Sequence, residues 1–221
     1  MGRAKGGIES ILQVMRGAFG TPALARLQLA FASSSLGLYA WFVALNVYAF
    51  NRGGAAAVGL IGLATMVPAA FVAPVTTLLA DRASRRDVLV MASSARFVLG
   101  LGLAAAAAAD LPLWAVTLFA VGQAMAQTVY RPAQAALMPQ LATSPEQMAA
   151  SNAVWNGLES TGFIVGALVG GWAVGALSAG PAFVLIALPM AVAALLLIGI
   201  PRDPTPPHRE AQEDERLRDE A

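Results

Sequence analysis

Glu159 and Arg96 are the residues of this chain best placed to do chemistry, because each lies inside a long apolar run. An ionisable side chain held in hydrocarbon is expensive, and its presence points to function. A carboxylate in that setting can take up and release a proton, or it can be neutralised by Arg96. Asn152 and Asn156 are spaced i, i+4, with Glu159 three residues further on, so all three share one helix face. Gln123 and Gln127 repeat the i, i+4 spacing, and Asn46 is the polar residue of the first apolar run. Arg131, just past the fourth run, completes the set. A cavity lined by these amides and one carboxylate suits an amphiphilic or weakly basic molecule. Any single amide is better explained by an interhelical hydrogen bond, worth about 0.6 kcal/mol.

Covalent chemistry has little to work with. The chain has no cysteine, and its single histidine, His208, lies in a polar tail. No Gly-Lys phosphate loop and no metal-ligand cluster is visible. The reading is therefore not an enzyme, with no cofactor and no metal. The net charge of +1 is near zero and argues neither for nor against nucleic acid; no nucleic-acid partner is expected.

The elements that must position these groups follow from composition. Hydrophobic residues make up 57% of the 221 and charged residues 12%, against about 25% charged in a soluble domain. Such a chain cannot cover itself with a water-facing surface, and the lipid bilayer is its expected partner. About 20 apolar residues span a bilayer as a helix. Six runs meet or approach that length, roughly 24–50, 55–80, 88–109, 113–130, 149–177 and 182–200. They lack period-2 alternation and are rich in Ala, so they read as helices. "SPEQ" places Ser144 at an N-cap, Pro145 at the first helical position and Gln147 at the third, a capping box. Residues 131–143 then form a cytoplasmic connection that can be partly helical, since Arg131-Pro132 need not end the fourth helix. Gly162, Gly166 and Gly170 recur every four residues, with Gly171 beside them, as a face on which helix backbones can touch.

Basic residues set the orientation. With both termini cytoplasmic, Arg3, Lys5, Arg16, Arg26, Arg82, Arg85, Arg86, Arg131 and the tail arginines fall inside, and Arg52 alone falls outside. Residues 1–20 form a cytoplasmic segment. Its Ile8, Ile11, Leu12, Met15 and Phe19 have the spacing of an interfacial helix, or of a plain lead-in to the first span. Residues 21–200 form the transmembrane domain. Residues 201–221 are a charged, Pro-rich tail that cannot bury enough apolar surface to order itself.

The segment "LLADRASRRDVLV" packs five charges between two apolar runs. It resembles the loop between the second and third helices of major facilitator superfamily transporters, whose pattern is Gly-x-x-x-Asp-Arg-x-Gly-Arg-Arg. Asp81, Arg82, Arg85 and Arg86 match, while Thr77 and Ser84 stand where the pattern has glycine. "YRPAQAALMPQL" is similar to the Arg-Pro-Ala run of drug-exporter-like members. "GFIVGALVGG" is similar to the fifth-helix glycine motif of antiporters, with Ala167 in place of the usual Pro. The resemblance covers about residues 20–200 and implies an all-α membrane protein, one six-helix half of a twelve-helix bundle. It implies proton-coupled efflux of small amphiphilic substrates by alternating access, from a bacterial cytoplasmic membrane. The charged loop would act as a conformational latch. On its own residues, Asp81 suits the start of the third helix, where it can accept backbone N–H bonds. The three arginines alone would also serve as a topology signal.

A six-helix half leaves the path between halves open. Its completion by a separate chain, or its being a truncated product, is favoured over a parallel homodimer, because no self-complementary charge pairing is visible in the sequence. A non-transporting interaction or regulatory protein is the alternative from another class.

The absence of cysteine makes topology directly measurable. Single cysteines at Ser84 and Ser144 are expected to react only with reagents that reach the cytoplasm, and one at Ser178 from outside. External labelling at Ser84 would reverse the orientation.

Overall fold

The structure, a computed structural model, describes residues 14–80 and 84–202, with the side chains of residues 14–72 and 84–202. The expected interfacial helix therefore lies mostly outside the described residues, as do Asp81, Arg82 and nearly all of the tail. Every regular element among the described residues is helical.

The first long helix, Pro22–Ala80, is interrupted at Gly53 and Gly54. Gly54 has φ 62° and ψ −158°, a conformation only glycine adopts without strain. The interruption divides it into α1 (residues 22–52) and α2 (residues 55–80). Four further helices follow: α3 (Arg85–Ala108), α4 (Leu113–Leu141), α5 (Pro145–Ala176) and α6 (Ala179–Ile198). The six apolar runs thus correspond to six helices. The stretches Pro22–Val72, Arg85–Ala108, Pro145–Ala176 and Ala179–Ile198 are long and apolar enough to cross a bilayer. α4 is not among them, since its polar residues dilute its hydropathy.

Two boundaries differ from expectation. α4 does not end at Tyr130 but continues through Pro132 and Pro139 to Leu141. The residues after Pro132 are strong helix formers, and Ala133, Gln134, Leu137 and Met138 are buried against the bundle. Packing holds the helix together where proline removes an N–H. The expected connection over residues 131–143 is helical as far as Leu141, and Arg131 is a mid-helix residue. At the start of α3 the N-cap is Ser84, whose hydroxyl accepts from the Asp87 N–H at 3.2 Å. It holds the position where the family pattern has glycine.

The Ser144 cap of α5 accepts from the Gln147 N–H at 3.1 Å. Gln147 Oε1 reaches back to the N–H and hydroxyl of Thr143, at 2.7 and 2.8 Å, one residue before the partner a capping box specifies. At the opposite end of the bundle, Arg52 pairs with Asp110 in the turn between α3 and α4 and sits 4.9 Å from the Tyr48 ring centroid.

α1 and α5 touch through the glycine face. A Cβ on Gly162 would lie 2.7 Å from Ser35 Cβ. One on Gly166 would lie 2.5 Å from the Leu36 carbonyl oxygen, and one on Gly170 would overlap the Ala40 carbonyl. Gly171 is not part of this contact, because its Cβ would meet only Val43 Cγ1, at 3.9 Å. It turns away from the seam by the 100° that separates adjacent helical residues. The outward face is strongly apolar, with Leu60, Leu63, Met66 and Phe71 of α2 each more than 60% exposed. In water this would be an aggregation surface; in a bilayer it is the expected one.

The seam yields a paired test. Gly166→Ala should destabilise the protein by about 1–3 kcal/mol through overpacking. Gly171→Ala should leave the thermal midpoint in detergent unchanged. Equal midpoints for the two variants would mean the helices do not approach at Gly166.

Candidate functional site

Glu159 lies 14 residues past Pro145 and 17 before Ala176, about 21 and 26 Å along the axis at 1.5 Å per residue. It is near the middle of α5. Its carboxylate forms an ion pair with Arg131 of α4 and accepts a hydrogen bond from the Tyr39 hydroxyl of α1 at 3.3 Å. Tyr39 is held edge-on against Phe163, one turn along α5, with ring centroids 5.1 Å apart. Three helices therefore converge on one carboxylate. The cluster faces outward: the Arg131 side chain is 56% exposed and that of Glu159 29%. A charge pair at this depth is not stable against lipid tails and belongs beside water or protein. Asn152 and Asn156 lie exposed on the same strip of α5. Ser160 donates to the Asn156 carbonyl at 2.9 Å.

The remaining candidates lie elsewhere, and the described residues do not bring all the amides together around Glu159. Gln123, Gln127, Tyr130 and Gln134 fall on one stripe of α4 that faces into the bundle, about 90° around the helix from Arg131. Gln123 is buried beside an enclosed cavity of about 10 Å³. The buried Oε1 of Gln127 has no hydrogen-bond partner among the described residues. Asn46 donates to the Phe42 carbonyl of its own helix at 2.7 Å.

Arg96 does not neutralise Glu159. It is buried at the middle of α3, donates from Nη1 to Ser34 Oγ at 2.8 Å, and lies 5.6 Å from the Tyr130 ring centroid. The carboxylate's cation is Arg131, because α4 turns Tyr130 inward and its neighbour outward. Tyr39, Ser34 and Tyr130 escaped the sequence reading. The available signal was their position, hydroxyl groups far from a helix end, with Tyr130 also adjoining Arg131 in sequence.

Of the four charged-loop residues, Arg85 and Arg86 are described. Arg86 donates to the carbonyls of Leu197 at 3.3 Å and Ile198 at 2.7 Å, and pairs with Asp87. Arg26 of α1 donates to the next carbonyl, Gly199. Arg202 adds a second cation to Asp87 at 3.2 Å. The last carbonyls of a helix lack partners and carry partial negative charge, and here two guanidinium groups satisfy them. Arg86 thus grips a neighbouring helix and the adjacent Asp87. Among the described residues no group of histidine, cysteine or acidic side chains could hold a metal ion.

No curated protein matches this chain. The family model described as Major Facilitator Superfamily matches residues 19–219, which takes in all six helices and the polar face they carry. The chain belongs to the major facilitator superfamily and is a membrane transporter of that type.

Proposed function

We propose that the chain carries out proton-coupled efflux of small amphiphilic or weakly basic molecules, with Glu159 as the group that takes the proton. The carrying observation is the Glu159–Arg131–Tyr39 cluster, an exposed charge pair at mid-helix depth on an otherwise lipid-compatible bundle. Charge at that depth needs water beside it, and a water-filled path between two six-helix units supplies it. A second such unit, in a separate chain, in the same chain or in a second copy, would face this strip of α1, α4 and α5.

The chemistry follows from the pair. Ionised Glu159 holds Arg131 and the Tyr39 hydroxyl, so α4, α5 and α1 are tied together. Protonation removes the charge that holds Arg131 and weakens the tie. A cationic substrate competes with the proton for the same carboxylate, so its release and proton uptake are linked. Asn152 and Asn156 offer neutral hydrogen-bonding groups along the same strip. Alternating access then requires that the two protonation states favour different helix arrangements.

The cytoplasmic ends would carry the latch, formed by Asp81, Arg82, Arg85 and Arg86. The hold of Arg86 on the end of α6 supports this role, since releasing it leaves carbonyls unpaired. Both termini would lie in the cytoplasm, with residues 21–200 in the plasma membrane.

Two measurements test the proposal in proteoliposomes loaded with a fluorescent amphiphilic cation. Glu159→Gln should abolish the dependence of efflux on an imposed pH gradient while binding persists; unchanged dependence would leave Glu159 as a structural partner of Arg131. Asp81→Asn should insert normally and slow transport about tenfold or more, and a wild-type rate would reduce the charged loop to a topology signal.

A further inference from the structure

The outer face shared by α1 and α6 is apolar along its length and charged at one end. Arg26, Leu29, Ser33, Leu36 and Ala40 recur every three or four residues and form one strip of α1. Leu185, Leu188, Val192, Leu195 and Gly199 do the same on α6. The two helices run antiparallel: Arg26 donates to the Gly199 carbonyl, and a Cβ on Gly37 would lie 3.2 Å from Pro189 Cβ. The strips are equal in length, 14 residues from Arg26 to Ala40 and 14 from Leu185 to Gly199, about 21 Å each. One bilayer leaflet, headgroups included, is about 20 Å deep.

An open groove of about 340 Å³ lies between the strips. Ser33, Leu36 and Ala40 line it from α1, and Leu185, Leu188 and Val192 from α6. Ser33 is the one polar side chain in its lining. Leu29 and Leu195, 49% and 69% exposed, carry the apolar surface on from the groove toward Arg26. Arg26 is itself exposed, and its guanidinium has five N–H donors. Among the described residues it makes one hydrogen bond, to Gly199, and no ion pair. Asp87, near the start of α3, is held by Arg86 and Arg202 instead.

A cation without a counter-charge thus stands at the mouth of an apolar groove one leaflet deep. We propose that an anionic phospholipid from the leaflet on the Arg26 side docks here, its phosphate on Arg26 and one acyl chain between the two strips. Arginine–phosphate pairs are charge-assisted and can be bidentate, and basic pockets between membrane helices bind anionic headgroups. The lipid ties α1 to α6 where the two helices leave space between them. The site is independent of the Glu159 cluster, none of whose residues lines the groove.

Thermal unfolding of the purified chain in detergent, at constant ionic strength, tests this. Dioleoylphosphatidylglycerol should raise the midpoint saturably by about 5 °C. Dioleoylphosphatidylcholine, with the same chains and no net charge, should raise it by less than about 1 °C. Glycerol phosphate, a phosphate without the chains, should leave it unchanged. Arg26→Gln should raise the half-saturating phosphatidylglycerol concentration about tenfold. Ser33→Trp, which fills the groove and keeps Arg26, should do the same, whereas Leu63→Trp on the exposed face of α2 should not. If Arg26→Gln does not fold, the groove variant and the lipid comparison decide. Equal shifts with the two lipids overturn the proposal, as does a shift with glycerol phosphate. So does a half-saturating concentration unchanged in Ser33→Trp or in folded Arg26→Gln, or raised equally in Leu63→Trp.

Discussion

The close approach of α1 and α5 is the constraint on which the rest of the architecture rests. At Gly162, Gly166 and Gly170 one backbone lies against the other with no room for a side chain. Helix association in lipid gains little from the hydrophobic effect, so dispersion across such a seam carries unusual weight. The seam also fixes rotation. Tyr39 Cβ lies 3.0 Å from where a Cβ on Gly166 would be, and this brings the Tyr39 hydroxyl to Glu159. The glycines touch no charge, yet they decide which charge the tyrosine meets.

α4 divides the polar residues between two environments. Tyr130 and Arg131 are adjacent in sequence, yet one is 1% exposed and the other faces outward. The 100° step between neighbours is enough to separate the interior from the open face. Any rotation of α4 therefore disturbs both clusters at once, because Tyr130 lies over Arg96 and Arg131 holds Glu159.

The local features were legible in the sequence. Six apolar runs became six helices, and Ser144 caps α5, because hydropathy and capping depend on neighbours a few residues away. The glycine spacing also exposed the seam, although Gly171 showed that adjacency is not membership. Pairing was not legible. Arg96 and Arg131 were both available to Glu159, and the choice rests on the rotation of α4, which buried packing sets. The same packing carries α4 past Pro132, a continuation the sequence left open. The hold of Arg86 on α6 was equally hidden, since backbone carbonyls leave no mark in a residue pattern.

The break at Gly53 and Gly54 has a mechanical meaning. Two non-helical residues join α1 to α2, too few to let their adjoining ends separate. A change of angle between the two helices is then a pivot about the glycines, with displacement growing toward the far end of α2. α2 spans residues 55–80, a lever about 39 Å long. Each degree of tilt at the glycines then sweeps its far end by about 0.7 Å, so a rotation too small to disturb packing near Ala57 and Ile61 becomes a gap of several ångströms where the charged loop begins.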